Sequence, residues 1–277
     1  MRITLLPGLL CATLSVSGCG TSVPLVQEIG GPAEGQQLVF EIVKSVNCEI
    51  RNAFTAVMTG GRALKDYNQG VDFTEWLKHY GVQTTLTLTI KESGTIAPSA
   101  VGLPPSPASA VFSIAGGFSQ SSSATRTDTL NYFYKVSDIL KRGPCDPPSD
   151  NKYAVQSLLI QPDLKFREWL RWQTALRAAE INMPLSSKNP FGGKVLSHEI
   201  KFQVVSTGTL NPAWRLTLAT INQGGTLLTA SRDRTHDLLI TLGPIDPTQP
   251  DSFVPAAANQ HLARQIGIAV ATDSRAP

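Results

Sequence analysis

The chain has 277 residues and a formal net charge of +3, with 24 Lys and Arg residues against 21 Asp and Glu residues. This near-neutral balance, without a basic run, argues against a nucleic-acid partner. The length suffices for one large domain or two small ones with a buried core, and a charged fraction of only 16% is typical of exported β-rich proteins.

The N-terminal segment has three parts in a fixed order. It begins with Arg2 and continues as an apolar run over residues 3–16. Two small residues, Ser17 and Gly18, then directly precede Cys19. The run is short for a bilayer-spanning helix, which needs roughly 20 apolar residues. The segment resembles the signal peptide of bacterial lipoproteins, in which small residues before a cysteine form the cleavage site.

The resemblance implies a modification and a location. Residues 1–18 are expected to be removed, Cys19 to become a diacylglyceryl, N-acylated terminus, and residues 19–36 to form a lipidated tether. Gly20 rather than aspartate follows the cysteine, which implies sorting to the outer membrane, with the chain facing the periplasm or the cell surface. The alternatives are an ordinary secretory signal followed by a coincidental cysteine, and a buried first helix.

Cys48 and Cys145 are the cysteines that remain outside the signal peptide and the lipidation site. In an oxidising envelope two spare thiols most simply form a disulfide. Closing a loop of this length is worth about 4 to 5 kcal/mol on the chain-entropy model. Two buried free thiols are the alternative. A metal site is not expected, because neither cysteine has a second ligand at a suitable spacing.

Two helices are predicted near the ends of the mature chain. The first is amphipathic and about five turns long, because apolar residues recur every three to four positions. These residues are Leu38, Ile42, Val46, Ile50, Phe54 and Val57. The second helix covers residues 256–268 and follows Pro255, a residue that suits a helix start.

Three sequence patterns occur twice, in the same order. Residues 73–78 return as 166–171, residues 93–99 as 207–213, and residues 124–130 as 230–238. Ordered matches indicate an internal duplication, although similar turn chemistry in any β-rich chain is the alternative. We predict a first repeat over residues 37–143, a linker over 144–151 and a second repeat over 152–277.

Each repeat is predicted to run from a short helix into three strands. In the first repeat Asp72 and Glu75 have the spacing of a capping box, and Gly81 is placed to end the helix. Apolar and polar residues then alternate over residues 82–90, as in a strand with one solvated face. Turns are predicted at residues 94–98, 120–123 and 222–225. The fold class is therefore α+β, with two tandem diverged copies of a helix plus three-stranded antiparallel β unit and with flanking helices.

The group of charged residues that is the strongest candidate for a binding site lies on the last strand of each repeat. Arg126 and Asp128 are expected to share a strand face, as are Arg232, Arg234 and His236. If the repeats pack as pseudo-twofold partners, the two groups meet. The functional interpretation is an anion or carbohydrate site. The alternative is a structural ion-pair network, or a charged strand edge that discourages aggregation.

No familiar catalytic or phosphate-binding motif is present. Ser149 and Lys152 have the spacing of an acyl-serine enzyme, but they lie in a Pro-rich linker without companion motifs. The four histidines are scattered singly, and neither a metal nor a cofactor is expected. An enzyme of this sequence would depend on carboxylates such as Asp128, Asp237 or Glu168.

We therefore expect a non-enzymatic, lipid-anchored envelope lipoprotein with a structural, binding or assembly role. It would contact a membrane through its lipid and an envelope protein or glycan through its surface. One alternative is an envelope hydrolase acting on a cell-wall or carbohydrate substrate. Another is an oligomeric pore or secretion component, because the Gly- and Ser-rich stretch over residues 111–136 has the length of a hairpin that crosses a bilayer.

Overall fold

The structure is a computed structural model that describes residues 23–24, 32–63, 72–102, 113–146, 160, 163–181, 195–210, 214–215, 219–221 and 226–273. The predicted signal peptide, the lipidation site Cys19 and most of the predicted tether and linker lie outside the described residues. The same holds for Ser149, Lys152 and the predicted turn at residues 222–225.

The described residues form four α-helices, one 3₁₀ helix and eight strands. In chain order these are α1 (Pro32–Ala63), the 3₁₀ helix (Glu75–His79), β1 (Tyr80–Ile96), β2 (Ser99–Gly102), β3 (Ile114–Gly117), β4 (Gln120–Lys135), α2 (Val136–Arg142), α3 (Phe166–Ile181), β5 (Leu196–Leu210), β6 (Trp214–Arg215), β7 (Ala219–Ile221), β8 (Leu228–Pro244) and α4 (Pro255–Asp273). The strands form two four-stranded sheets, in the orders β4-β1-β8-β5 and β3-β2-β7-β6. The predicted α+β class with flanking helices is confirmed. No helix among the described residues is both long and apolar enough to cross a membrane.

Helix α1 is longer than the sequence pattern predicts. It begins at Pro32, inside the segment assigned to the tether, because proline is compatible with a first helical turn. Its apolar stripe is buried as expected, with Leu38, Ile42 and Phe54 at most 1% exposed. The stripe therefore fixes the helix against a core, and the helix extends beyond it at both ends.

The short helix after Asp72 differs from the predicted capping box. The Asp72 carboxylate accepts hydrogen bonds from the backbone N–H of Thr74 at 2.8 Å and from its hydroxyl at 2.6 Å. It therefore closes a turn before a 3₁₀ helix, and Glu75 pairs with Lys78 instead. Gly81 does not end the helix but lies in β1, where a Cβ atom would overlap the Phe133 ring.

Two of the predicted turns are wrong. β1 continues through residues 94–96, after which the N–H of Ala97 donates to the carbonyl of Leu227 at 2.9 Å. β4 begins at Gln120 and runs without interruption to Lys135. Inter-strand pairs such as Ser93 with Ser231, whose hydroxyls are 2.6 Å apart, hold these segments extended. Pairing with neighbouring strands has overridden the local turn preference of Gly and Ser.

The chain divides into two compact units. The strand unit comprises, in its described part, Val23, Pro24 and residues from Leu88–Asp128 and Gln203–Thr235. The helical unit is built from Gln27–Thr87, Thr129–Phe202 and His236–Pro277. Each unit thus draws on both predicted repeats, and the duplication itself stays a prediction.

In the helical unit the strand segments lie between two helices. One face packs on α1, where Val46 and Ile50 meet Leu86 and Leu238 around a small cavity. Helix α3 packs against the same helix, through an edge-to-face contact between Phe54 and Phe166. This apolar layer is the core of the unit.

The other face of these strands packs on α4. His261 of this helix lies 2.9 Å from the Thr85 hydroxyl and 2.7 Å from the Thr241 hydroxyl. Phe133 and Phe253 add an edge-to-face contact with ring centroids 5.2 Å apart. The helical unit is therefore a three-layer arrangement, with strands buried on both faces.

In the strand unit the outer strands are exposed, whereas β1 and β8 between them are half-buried or buried. Every residue of β5 from Gln203 to Leu210 is exposed, and β4 alternates between exposed and half-buried residues from Ser121 to Asp128. β4 and β5 are the outermost strands of their sheet. Within the described part of the chain no further strand pairs with either of them, so each has an outer edge without a described partner strand.

Candidate functional site

The predicted disulfide between Cys48 and Cys145 is confirmed, with the two Cα atoms 5.6 Å apart. Side chains of α1 reinforce it. Asn52 donates to the carbonyl of Cys145 at 2.8 Å and accepts from its N–H at 2.9 Å, while Arg51 donates to the carbonyl of Gly143 at 3.0 Å. The segment that follows α2 is thereby fixed to the middle of α1, which is a structural role.

The structure distributes the predicted charged patch over separate ion pairs. Arg126 and Asp128 share a strand face and form one pair, with Nε 2.9 Å from Oδ2. Arg232 pairs with Glu92 at 2.5 Å, a partner that the sequence did not indicate. Because β1 lies between β4 and β8, Arg126 and Arg232 are about 10 Å apart, two strand spacings, and Glu92 lies on the strand between them. That the two groups meet across a pseudo-twofold axis stays a prediction.

The remaining residues of the predicted patch are buried. Arg234 is 7% exposed and His236 is 4% exposed. Arg126 and Asp128 are the accessible members, with side chains 36% and 35% exposed. A ligand role for these residues stays a prediction, and their geometry is that of short-range ion pairs on a sheet.

The carboxylates considered for catalysis have different surroundings. Burial raises the pKa of Asp237, whose nearest cation is Lys201 with Nζ 3.4 Å from Oδ2. Glu168 is exposed on α3, and Asp128 is engaged by Arg126. Among the described residues, no group of three or more His, Cys, Asp or Glu side chains is arranged to hold a metal ion.

The cavity under α1 is too small for a substrate. Its volume is about 10 Å³, which is room for one water molecule at most. It is lined mainly by aliphatic and tyrosine side chains, including Leu86, Tyr132 and Tyr134. It is a packing defect of the core.

Two histidines of the helical unit have structural surroundings. His198 stacks on Trp169 with ring centroids 4.9 Å apart, and His261 lies between two threonine hydroxyls. Burial lowers the pKa of both rings. Both are therefore held in the neutral form by the fold.

The strand unit has a feature that sequence reasoning missed: its two faces differ in chemistry. Thr89 contacts Thr127 at 3.3 Å, Ser93 contacts Ser231 at 2.6 Å, and Gln203 donates to Asp233 at 2.6 Å. These pairs place the odd-numbered residues of four strands on one face, because side chains alternate along a strand. We call it the hydroxyl face, since most of its members are Ser or Thr. They are Thr89, Ser93, Thr95, Ser121, Ser123, Thr125, Thr127, Thr207, Thr209, Thr229, Ser231 and Thr235.

We call the opposite surface the apolar face. Its charged residues, the pairs Arg126–Asp128 and Arg232–Glu92 together with Arg234, lie at one end. Beyond Glu92, toward β2, the described residues of this face carry no charge and include several aliphatic side chains. The aliphatic residues are Ile96, Leu210, Leu228 and Ala230, and the polar residues Gln120, Ser122 and Ser206 lie among them. Leu210 is 58% exposed, whereas Ile96, Leu228 and Ala230 on the central strands are half-buried.

The sequence does contain a signal for the two faces. Ser123, Thr125, Thr127 and Thr129 alternate with Ala124, Arg126 and Asp128, which is the period of a strand. The predicted turn at residues 120–123 interrupted that period, so the alternation was not followed into β4.

Helix α4 also exposes apolar side chains. Leu262, Ile266 and Val270 follow one another at intervals of four residues and are 53%, 56% and 62% exposed. Residues four apart lie on one side of a helix, so these three form a continuous stripe. An exposed apolar stripe is typical of an interaction surface.

No protein-family model matches the sequence, and no curated protein is detectably similar to it. Among solved structures, the secretin InvG of the Salmonella SPI-1 type III secretion injectisome, in its open gate state, is 10% identical over 74% of this chain and 70% of that chain, with a TM-score of 0.15. The InvG secretin domain from the injectisome NC-base is 9% identical over 73% of this chain and 71% of that chain, with a TM-score of 0.14. These scores are too low to indicate a common fold.

Proposed function

We propose that this chain is a non-enzymatic, lipid-anchored protein of the bacterial cell envelope that acts as an assembly component. The observation that carries the assembly role is the strand unit, whose outer strands β4 and β5 are accessible and have outer edges without a described partner strand. Proteins that act alone cover, shorten or charge such edges, because an open edge pairs with other chains. The apolar stripe on α4 adds a second surface suited to a partner.

The non-enzymatic part of the proposal rests on the surroundings of the candidate groups. Asp237 and His236 are buried, and the cavity under α1 admits no substrate. Asp128 is engaged in an ion pair with its neighbour two residues away. A hydrolase would need accessible carboxylates at a suitable separation.

The anchor is tested by metabolic labelling. Radiolabelled palmitate is expected to enter the full-length protein in a bacterial host, and Cys19→Ala is expected to abolish the label. Cys11→Ala, which changes a cysteine inside the apolar run, is the matched control and should keep it. A wild-type protein that stays unlabelled and free in the periplasm would contradict the anchor.

A pore or secretion component is the second candidate, favoured by the contrast between the two faces of the strand unit. A strand that crosses a bilayer in an oligomeric pore alternates apolar residues toward lipid with polar residues toward water. The apolar face beyond Glu92 and the hydroxyl face fit these two environments, and β4 and β5 each contribute a stretch comparable to the roughly 9 to 11 residues that cross a bilayer.

Dye release separates this candidate from assembly at a surface. The purified protein is added to vesicles of phosphatidylethanolamine and phosphatidylglycerol that contain carboxyfluorescein. A pore is expected to release the dye. Leu210→Arg on the apolar face should reduce dye release at least about tenfold, because a charge that faces lipid is costly. Thr209→Arg on the hydroxyl face should leave dye release unchanged. Equal effects of the two arginines would exclude insertion by this sheet.

A further inference from the structure

We infer that the outer edge of β4 pairs with the outer edge of β5 of a second copy of this chain. The paired segments are Gln120–Asp128 and Gln203–Leu210, both in the strand unit. The inference rests on the proposed assembly role and deepens it by naming the partner and the two edges. Neighbouring copies are then joined head to tail, each through two different edges.

The two edges lack the devices that keep strands apart. Residues 203–210 contain no charged residue and no proline, and residues 120–128 contain no proline and one oppositely charged pair, Arg126 with Asp128. Lysine, proline and inward-pointing charge are the usual protections of an edge strand. Because one edge is neutral and the other carries a compensated pair, charge repulsion does not oppose their contact.

The directions of the strands allow the sheet of one copy to continue into the sheet of the next copy. β4 runs antiparallel to β1, since Thr85 contacts Asn131 and Thr89 contacts Thr127. β8 also runs antiparallel to β1, since Ser93 contacts Ser231 and Ala97 bonds to Leu227. β5 runs antiparallel to β8, since Ser197 contacts Thr241 and Gln203 contacts Asp233. β4 and β5 therefore run in opposite directions at the two sides of the sheet. A second copy in the same orientation brings its β5 antiparallel beside β4, and the sheet continues without a change of pattern.

The chemistry of the faces restricts the register. A one-residue slip would move every side chain of the incoming strand to the wrong face. The hydroxyl face continues across the junction when odd-numbered residues of β4 lie opposite odd-numbered residues of β5. Thr125 is then expected to lie opposite Gln203, Val205, Thr207 or Thr209.

Distance within one chain makes a cysteine test unambiguous. β4 and β5 are separated by two strands, so facing residues of one copy are about 14 Å apart, three strand spacings. A disulfide requires Cα atoms within about 7 Å. A bond between cysteines at positions 125 and 207 must therefore join two copies.

The experiment uses full-length protein in isolated membranes. Thr125→Cys is combined with one cysteine at position 203, 205, 207 or 209, and the matched controls combine it with Val204→Cys or Ser206→Cys on the other face. After mild oxidation, at least one odd-numbered combination is expected to give a ladder of dimers, trimers and larger species on a non-reducing gel. Both controls and Thr125→Cys alone should remain monomeric. Retention of the Cys48–Cys145 bond, mapped by peptide mass spectrometry, verifies folding of each variant.

Other outcomes would overturn the pairing. Monomers in all four odd-numbered combinations would exclude it, and a dimer from Thr125→Cys alone would show that two β4 edges meet instead. Palmitate labelling of the same variants reports on the anchor separately. Labelled protein without a ladder contradicts the pairing and leaves the anchor standing, whereas a ladder from unlabelled protein supports the pairing and contradicts the anchor.

Discussion

Two buried ionisable side chains of the helical unit make its stability depend on pH in opposite directions. Burial lowers the pKa of His261, so the unfolded chain binds the proton more tightly than the folded chain does. The stability that it contributes is lost as the pH falls below the ordinary histidine value of about 6.5. Burial raises the pKa of Asp237, and the stability from its neutral form is lost as the pH rises above the ordinary aspartate value of about 3.9.

We predict that His261→Asn reduces the acid sensitivity of the fold. The wild type should lose free energy of unfolding between pH 7.5 and pH 5, and the variant should lose less, because its side chain does not gain a charge. Urea denaturation at the two pH values measures the difference. His79→Asn, at an exposed position, is the control and should lose as much as the wild type. Equal losses in all three proteins would contradict the assignment.

Asp237→Asn is expected to stabilise the protein at pH 7 by about 1 kcal/mol, because it removes a buried charge with a single partner at 3.4 Å. Lys201 remains partly exposed and keeps its hydration. The stabilisation should vanish at pH 3.5, where the wild-type carboxyl is neutral, and urea denaturation at both pH values measures it. Asp233→Asn, which disturbs the hydrogen bond from Gln203, should not stabilise. A loss of stability in Asp237→Asn at pH 7 would show that the ion pair outweighs desolvation.

At the scale of elements, α1 is the part on which the helical unit is organised. It carries the disulfide to Cys145, the hydrogen bonds of Arg51 and Asn52, and the contact of Phe54 with α3. The bond closes a loop with a sequence separation of 97, so most of its effect lies in restricting the unfolded chain.

The double variant Cys48→Ala, Cys145→Ala is expected to lower the free energy of unfolding by about 4 kcal/mol, following the loop-closure relation. The measurement is urea denaturation with and without dithiothreitol. Reduction should destabilise the wild type by a similar amount and leave the double variant unchanged. If the variant and the oxidised wild type unfold at the same urea concentration, the disulfide contributes nothing to the fold.

Elements with a local signature were predictable from the sequence, and those defined by partners were not. The stripe from Leu38 to Val57 repeats with the period of a helix, and the segment after Pro255 follows a residue that suits a helix start; both are helices. The turns at residues 94–98 and 120–123 were wrong because Gly and Ser preferences are weaker than pairing with neighbouring strands. The Arg232–Glu92 pair joins residues 140 positions apart, and no local pattern encodes that contact.

At the scale of the whole molecule, the two units differ in how well water is excluded from their strands. In the helical unit, Leu238, Ile240 and Leu242 of β8 are fully buried. In the strand unit, residues 203–210 of β5 are exposed throughout. Local opening requires less free energy where few apolar contacts are lost.

Hydrogen exchange should reproduce this division. Amides of residues 238–242 are expected to exchange at least about tenfold more slowly than amides of residues 203–210, because their opening needs a larger part of the global unfolding free energy. Mass spectrometry on dilute monomeric protein measures both. Residues 82–86 of β1, buried in the helical unit except for a half-buried Gln83, are the internal reference and should match residues 238–242. Uniform protection across both units would contradict the prediction.

Because β4 of one copy pairs with β5 of the next, the two edges also determine how the addition of copies to the assembly ends. A contact between two identical edges is complete at two copies, whereas a contact between two different edges leaves a vacant one at each terminus of the growing polymer. Such a polymer ends only by closing on itself, or it extends into a filament. A short synthetic peptide with the sequence of residues 120–128 would pair with the vacant β5 edge at one end of the polymer and block the addition of further copies. The concentration of this peptide would then determine the length of the polymer.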